Sequence, residues 1–263
     1  MKPVRLLAIA GSDSGGGAGI QADIKTASAL GAYAMTAITA VTAQDTTGIG
    51  SIHLIPAPIV REQIERCLAD IGADAIKIGM LGSREIAESV AGALAPFAKT
   101  LPVVVDPVIV ATSGALLADD AVVEALKTLF FPAAALITPN LPEAERLCGF
   151  KLQSGDDLLR AGQTLLAFGP RAVLLKGGHG GSNTVTDLLF TPDTGPRSYI
   201  AKRVDTVHTH GTGCTLATAI ACGLGEGLPL GDAVQRAHDF VQQAIRMAPE
   251  FGAGSGPINH LLP

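Results

Sequence analysis

Short apolar runs alternate with stretches of helical spacing along most of the chain. Val4–Ala10 is a mainly apolar run that ends at Gly11, the pattern of a strand buried on both faces. Ile20, Ile24, Ala27 and Gly31 follow at helical spacing, with Gly31 marking the helix end. Ala34–Val41 predicts the next strand. Ile64, Cys67, Leu68 and Ile71 stand at i, i+3, i+4 and i+7, one face of an amphipathic helix. Ala75–Ile78, Val103–Val105, Ala134–Ile137 and Ala172–Leu175 predict four further strands, with helices near 84–95, 119–130 and 155–168 between them. Val185–Phe190 and Arg197–Ala201, joined by the turn-rich segment 191–196, predict an antiparallel pair at the sheet edge. Two helices, Gly211–Glu226 and Asp232–Met247, complete the pattern.

Such alternation is the sequence form of repeated βαβ units, so the expected class is α/β, a mostly parallel sheet with helices on both faces. No composition shift, repeat or low-complexity tract interrupts it, and residues 1–263 are expected to form a single domain. A hydrophobic share of 48% excludes intrinsic disorder. With net charge −5, no Trp and two Tyr, the chain offers neither a basic stripe nor a stacking platform, and no nucleic-acid partner is expected. No apolar stretch reaches the roughly 18 residues of a membrane span. Lys2, Arg5 and Leu6–Ala10 loosely mimic a secretion signal, but the apolar run is too short for one. Four cysteines without a CxxC pair fit a reducing compartment, so a cytoplasmic location is expected.

Ligands of open parallel sheets bind beyond the carboxyl ends of the strands, and the informative motifs fall there. Gly11–Gly19 follows the first strand directly. It fails the dinucleotide fingerprint, because Ile20 takes the place of the third glycine, and no Lys-Ser or Lys-Thr makes it a P-loop. It reads either as a flexible connection or as a backbone wall for a flat ligand, with Asp23 one turn into the helix. Gly211-Thr212-Gly213-Cys214-Thr215 opens a helix, where backbone N–H groups and the helix dipole favour an anion. A thiol there is expected to have a lowered pKa; the alternative is an ordinary cap with a buried cysteine. Asp106-Pro107 and Asn140-Leu141-Pro142-Glu143 end neighbouring strands, where carboxylates suit magnesium held through water and phosphate, or serve simply as caps. Lys176-Gly177-Gly178-His179-Gly180-Gly181 repeats the strand-then-glycine arrangement and supplies a cation for polyphosphate. His208, His210 and Cys214 match no zinc spacing. His53, His238 and His260 have no partner visible in sequence and are expected at the surface or internally satisfied.

Together, Ala10–Asp23, Thr39–Gln44, Lys77–Leu81, Asp106–Val108, Thr138–Glu143, Lys176–His179, His210–Cys214 and Gly254–Pro257 make a resemblance that spans nearly the whole chain. It resembles the hydroxymethylpyrimidine/phosphomethylpyrimidine kinases of thiamine biosynthesis, members of the ribokinase-like superfamily. The resemblance implies a ribokinase-like fold, ATP as phosphate donor and Mg²⁺. It implies phosphorylation of 4-amino-5-hydroxymethyl-2-methylpyrimidine and then of its monophosphate. Gln44 is implied to pair with the pyrimidine edge, with Asp23, Met80, Gly11 and Ala18 in the same pocket. Gly211, Thr212, Gly213 and Cys214 are implied to form the anion hole, with Cys214 as general base. Lys176 and Asn140 fall to ATP, and Asp106 and Glu143 to magnesium, through water. Sugar kinases of the superfamily carry Asp where Cys214 stands, so the thiol points to the vitamin kinases.

General chemistry agrees with that reading. Phosphoryl transfer needs positioning and charge neutralisation, which a helix dipole, Mg²⁺ and Lys supply. A glutamine offers one acceptor and one donor to a ring nitrogen beside an amine. The expected partners are the small pyrimidine and ATP, with no membrane, and a homodimer is compatible with the sequence. Pyridoxal kinase is the alternative within the superfamily. A nicotinamide-dependent oxidoreductase is the alternative of another class; the failed fingerprint counts against it. A pure binding module leaves the helix-end cysteine and the two strand-end carboxylates unexplained.

Overall fold

The computed structural model describes residues 2–98, 100–110, 117–177 and 183–261. The glycine-rich residues 178–181 after Lys176 lie outside the described residues.

A nine-stranded sheet runs in the order β3-β2-β1-β4-β5-β6-β7-β8-β9. Its parallel centre is β1 (Arg5–Asp13), β2 (Tyr33–Gln44), β4 (Ala75–Ile78), β5 (Val103–Val105), β6 (Leu136–Ile137) and β7 (Val173–Leu175). The outer strands β3 (Ile49–Leu54), β8 (Thr184–Thr191) and β9 (Thr194–Lys202) are antiparallel to their neighbours. The eight α-helices of the described residues are α1 (Gly19–Ala29), α2 (Ala57–Asp70), α3 (Arg84–Leu94), α4 (Asp120–Ala125), α5 (Leu141–Cys148), α6 (Gly155–Leu166), α7 (Thr212–Gly225) and α8 (Leu230–Arg246).

Strand side chains point alternately to the two faces, and both faces are apolar. Leu7, Ile9, Ile76, Ile78, Val103 and Val105 pack with residues of α2, α3 and α4 on one side. Leu6, Ala75, Val104 and Leu136 pack with Leu216, Ile220, Val234 and Val241 of α7 and α8 on the other. Burying both faces explains why the central strands read as continuous apolar runs.

Several expected boundaries move. The first strand extends past a bulge between Ala10 and Ser12 to reach Asp13, and bulges of this kind re-aim side chains beside active sites. The expected helix 119–130 is α4 followed by a wider turn at Leu126–Phe130. Two elements escaped the periodicity. The β3 strand is an exposed edge strand with no buried face to impose alternation, and α5 is only eight residues long.

Candidate active site

The carboxyl ends of β1, β2, β5, β6 and β7 and the start of α7 enclose a cavity of about 540 Å³, within the size range of small-molecule sites. Gly11, Ala18, Gln44, Met80, Asp106, Asn140, Glu143, Lys176 and the Gly211–Cys214 segment all line it. Tertiary folding therefore gathers every expected site residue but one. Asp23 was expected in the substrate pocket. Instead it is fully buried beneath the cavity, its carboxylate taken up by Lys77 Nζ at 2.8 and 2.9 Å and by the Thr218 hydroxyl at 2.7 Å. A charge sealed between strand and helix must be paired, and Asp23 is spent on that pairing.

The glycine-rich loop is organised by Asp13. Its Oδ1 accepts from Gly15 N–H at 2.8 Å, and its Oδ2 accepts from Gly17 and Ala18 N–H at 3.0 and 2.8 Å. The same Oδ2 lies 2.9 Å from His210 Nε2. Burial opposes the charge of Asp13, yet His210 and the backbone donors hold its carboxyl below the usual range. The loop is thus held in place by hydrogen bonds to Asp13, unlike the flexible connection that was one of its two sequence readings.

Gly211 caps α7 in the left-handed region, φ 85°, and a Cβ there would collide with the Gly17 carbonyl. The helix start and the glycine loop therefore touch through backbone. At Gly213 an added Cβ would stand 3.1 Å from Lys176 Nζ and 3.5 Å from Asp106 Oδ2. The N-terminus of α7, a lysine ammonium and a carboxylate thus meet at one point.

Asp106 Oδ1 accepts from Lys176 Nζ at 2.8 Å and from the Thr138 hydroxyl at 2.9 Å. Burial opposes its ionisation, but Lys176 and Lys77 hold it below the ordinary carboxylate range. Glu143 closes a capping box on α5. Its carboxylate accepts from Asn140 N–H at 2.8 Å, and the Asn140 side chain accepts from Glu143 N–H at 2.9 Å. Burial pushes the Glu143 carboxyl up to about 7 despite Lys176 nearby. Among the described residues, no group of three or more His, Cys, Asp or Glu is placed to hold a metal ion.

The expectation for Cys214 needs correction. Burial raises its thiol to about 11, outweighing Lys77 and the Gly19 N–H, which act in the other direction. Desolvation disfavours the charged form of a thiol enclosed in this way.

Strand β8 and helix α8 complete the cavity with Val185, Asp187, His238, Val241, Gln242 and Ile245. His238 Nε2 and Gln242 Oε1 are buried without a hydrogen-bond partner among the described residues. Sequence reasoning gave no role to Asp13, Lys77 or Gln242, weighed His210 only as a zinc candidate, and expected His238 at the surface or internally satisfied, whereas it is buried with no hydrogen bond to its Nε2. A lysine inside the apolar run Ala75–Ile78 was the legible signal, since a charge in a doubly covered strand needs a partner.

A family model described as phosphomethylpyrimidine kinase matches residues 13–259. The chain belongs to the phosphomethylpyrimidine kinase family. It is 46% identical to the hydroxymethylpyrimidine/phosphomethylpyrimidine kinase of Streptomyces coelicolor, over 98% of this chain and 94% of that protein. It is also 46% identical to a thiamine biosynthesis bifunctional protein of Geobacter sulfurreducens, over 98% of this chain but only 52% of that protein, so it spans about half the length of that relative. A crystal structure of Bacillus subtilis pyridoxal kinase as an ADP complex superimposes with a TM-score of 0.89 and 34% identity, covering 98% of this chain and 97% of that one. The chain shares the ribokinase-like fold of these neighbours, and its cavity lies at the carboxyl edge of the sheet, where ligands of open α/β sheets bind.

Proposed function

We propose that the protein is an ATP-dependent kinase. It phosphorylates the hydroxymethyl group of 4-amino-5-hydroxymethyl-2-methylpyrimidine and then converts the monophosphate to the diphosphate. One observation carries this reading: the glycine-bracketed start of α7 meets Lys176 and Asp106 in the same cavity as Gln44.

In that role Gln44 pairs with the pyrimidine edge, while Gly11, Ala18 and Met80 flank the flat ring. The Gly11 backbone and Met80 already leave little room, since a Cβ on Gly11 would stand 3.1 Å from Met80 Sδ. The reacting alcohol lies toward Cys214, whose thiolate form takes its proton as the oxygen attacks the terminal phosphorus of ATP and the bond from that phosphorus to ADP breaks. N–H groups of Gly211–Cys214 receive the charge that develops on the phosphoryl oxygens, and Lys176 neutralises the polyphosphate. His238 Nε2 and Gln242 Oε1 lack a hydrogen bond among the described residues and fit the nucleotide end of the donor, beside Val185, Val241, Ile245 and Asp187, whose Oδ2 lies 4.0 Å from His238 Nε2. Asp106 and Glu143 suit magnesium held through water, because Mg²⁺ keeps several waters and needs few carboxylates. Held there, the ion would supply positive charge to the donor phosphates. Four free cysteines support a reducing, cytoplasmic setting.

A pyridoxal-type alcohol is the second reading, favoured by the backbone likeness to pyridoxal kinase. Incubating the purified protein with Mg–ATP and each alcohol, and following ADP and product mass, separates the two. ADP and mono- and diphosphate products from the pyrimidine are expected. Turnover of pyridoxal alone overturns the assignment.

A further inference from the structure

His210 Nε2 stands 2.9 Å from Asp13 Oδ2 and 3.3 Å from the side-chain nitrogen of Gln44. These neighbours make opposite demands on one ring atom. Asp13 is an acceptor and needs a proton on Nε2, whereas the Gln44 NH₂ group needs a lone pair there. One imidazole nitrogen meets only one of these demands. The carboxylate prevails, because it is charged and three loop N–H groups already hold it in place.

With a donor on Nε2, the favourable contact for Gln44 is its carbonyl oxygen, so the amide turns to present it. The amide nitrogen then faces Thr42 Oγ1, 3.2 Å from the other end of the amide. That hydroxyl has its own acceptor in the Ser12 carbonyl at 3.0 Å, which leaves a lone pair for Gln44. In this arrangement each of these groups has a matching partner. One amide N–H and one oxygen lone pair of Gln44 remain for a ligand.

The imidazole is itself held in place. Its backbone N–H donates to the Gly256 carbonyl at 3.1 Å, and a Cβ on Gly17 would collide with its ring. Gly211, the cap of α7, is the next residue.

We infer that His210 is a specificity-determining positioning residue that locks the Gln44 amide in one orientation and so sets which hydrogen-bonding edge the substrate must present. The inference rests on the proposed contact of Gln44 with the ring. A free amide rotates to match either an aminopyrimidine edge (ring nitrogen acceptor, amine donor) or an oxopyrimidine edge (ring N–H donor, carbonyl acceptor). A locked amide matches one of them and leaves the other with unpaired buried groups, which is how a site rejects an analogue strongly.

The test compares kcat/KM for the 4-amino and 4-oxo hydroxymethylpyrimidines in the wild type, His210→Leu, His210→Gln and Gln44→Ala, with the KM for ATP beside them. The expected wild-type preference for the amino compound is about 100-fold or more, falling about tenfold in His210→Leu with the KM for ATP unchanged. His210→Gln, which restores a donor, recovers part of the preference. If His210→Leu melts early, His210→Phe keeps a ring of similar size without the donor and is expected to relax the ratio equally. An unchanged ratio in the folded Leu or Phe variant, while Gln44→Ala loses the pyrimidine, overturns the lock and leaves the Gln44 contact standing. Unchanged pyrimidine turnover in Gln44→Ala overturns the contact beneath it.

Discussion

Lys77 Nζ lies 2.8 and 2.9 Å from the two carboxylate oxygens of Asp23, and neither side chain reaches solvent. Burial disfavours the ammonium, but Asp23 and neighbouring acidic groups raise it above its ordinary range, so it stays charged. The pair joins β4 to α1, and Thr218 brings in α7. Breaking such a pair strands a buried charge, and Asp23→Ala is expected to cost about 3–5 kcal/mol. The double variant Asp23→Leu with Lys77→Met is expected to recover most of that loss. Denaturant unfolding of the three proteins measures it. Full stability in Asp23→Ala, together with a raised KM for the pyrimidine, would return Asp23 to the substrate pocket.

Cys214 separates the two phosphorylations. The first nucleophile is a neutral alcohol that loses a proton, where a positioned base contributes roughly 10²–10⁴-fold. The second is a phosphate monoester with a second pKa of ~6, already ionised at neutral pH. Because burial holds the thiol near 11, its thiolate fraction grows about tenfold per pH unit below that value. The rate from the alcohol is therefore expected to climb between pH 7 and 9, and the rate from the monophosphate to stay nearly level. Cys214→Ser should remove the climb and slow the first step far more than the second. Equal losses in both steps mean that Cys214 shapes the anion hole and takes no proton.

Asp106→Asn keeps acceptors for Thr138 and Lys176 while removing the negative charge. If Asp106 positions magnesium through water, the Mg²⁺ concentration for half-maximal rate rises about 10–100-fold, the usual effect of losing an outer partner of a metal. Some loss of thermal stability is expected as well, because the Lys176 ammonium loses its charged partner. A normal Mg²⁺ titration with a lowered melting temperature identifies the carboxylate as a structural partner of Lys176 alone.

His260 predicts acid sensitivity. It is buried, its Nε2 lies 2.8 Å from the Thr215 hydroxyl of α7, and burial lowers its pKa to about 4. The unfolded chain takes up this proton near pH 6.5, and the folded protein does so only near pH 4. The group's contribution is therefore whole above pH 6.5 and is lost as pH falls toward 4, on the order of 3 kcal/mol in all. In His260→Gln the drop in melting temperature between pH 7 and pH 4.5 should shrink. An identical drop in both proteins rules His260 out as the sensor.

Alternation of apolar runs with helical spacing was enough to determine the α/β class, the parallel centre of the sheet and the strand ends where chemistry gathers. Periodicity is imposed by burial, and the central strands and long helices are buried along most of their length. The same signal was silent at β3, where an edge strand has no second layer to face. Motif position placed Lys176 and Gly211–Cys214 at the cavity because one follows a strand and the other opens a helix, whereas Gln44 came from the family resemblance. Only the tertiary structure decided what those residues do with their charges. Asp23 points to Lys77 because folding brings together two residues 54 positions apart in the chain. Asp13, Gln44 and His210 meet through a contact spanning 197 residues, which no local pattern encodes. The Cys214 thiol rises because the surrounding elements desolvate it, and a sequence motif carries only its own helix.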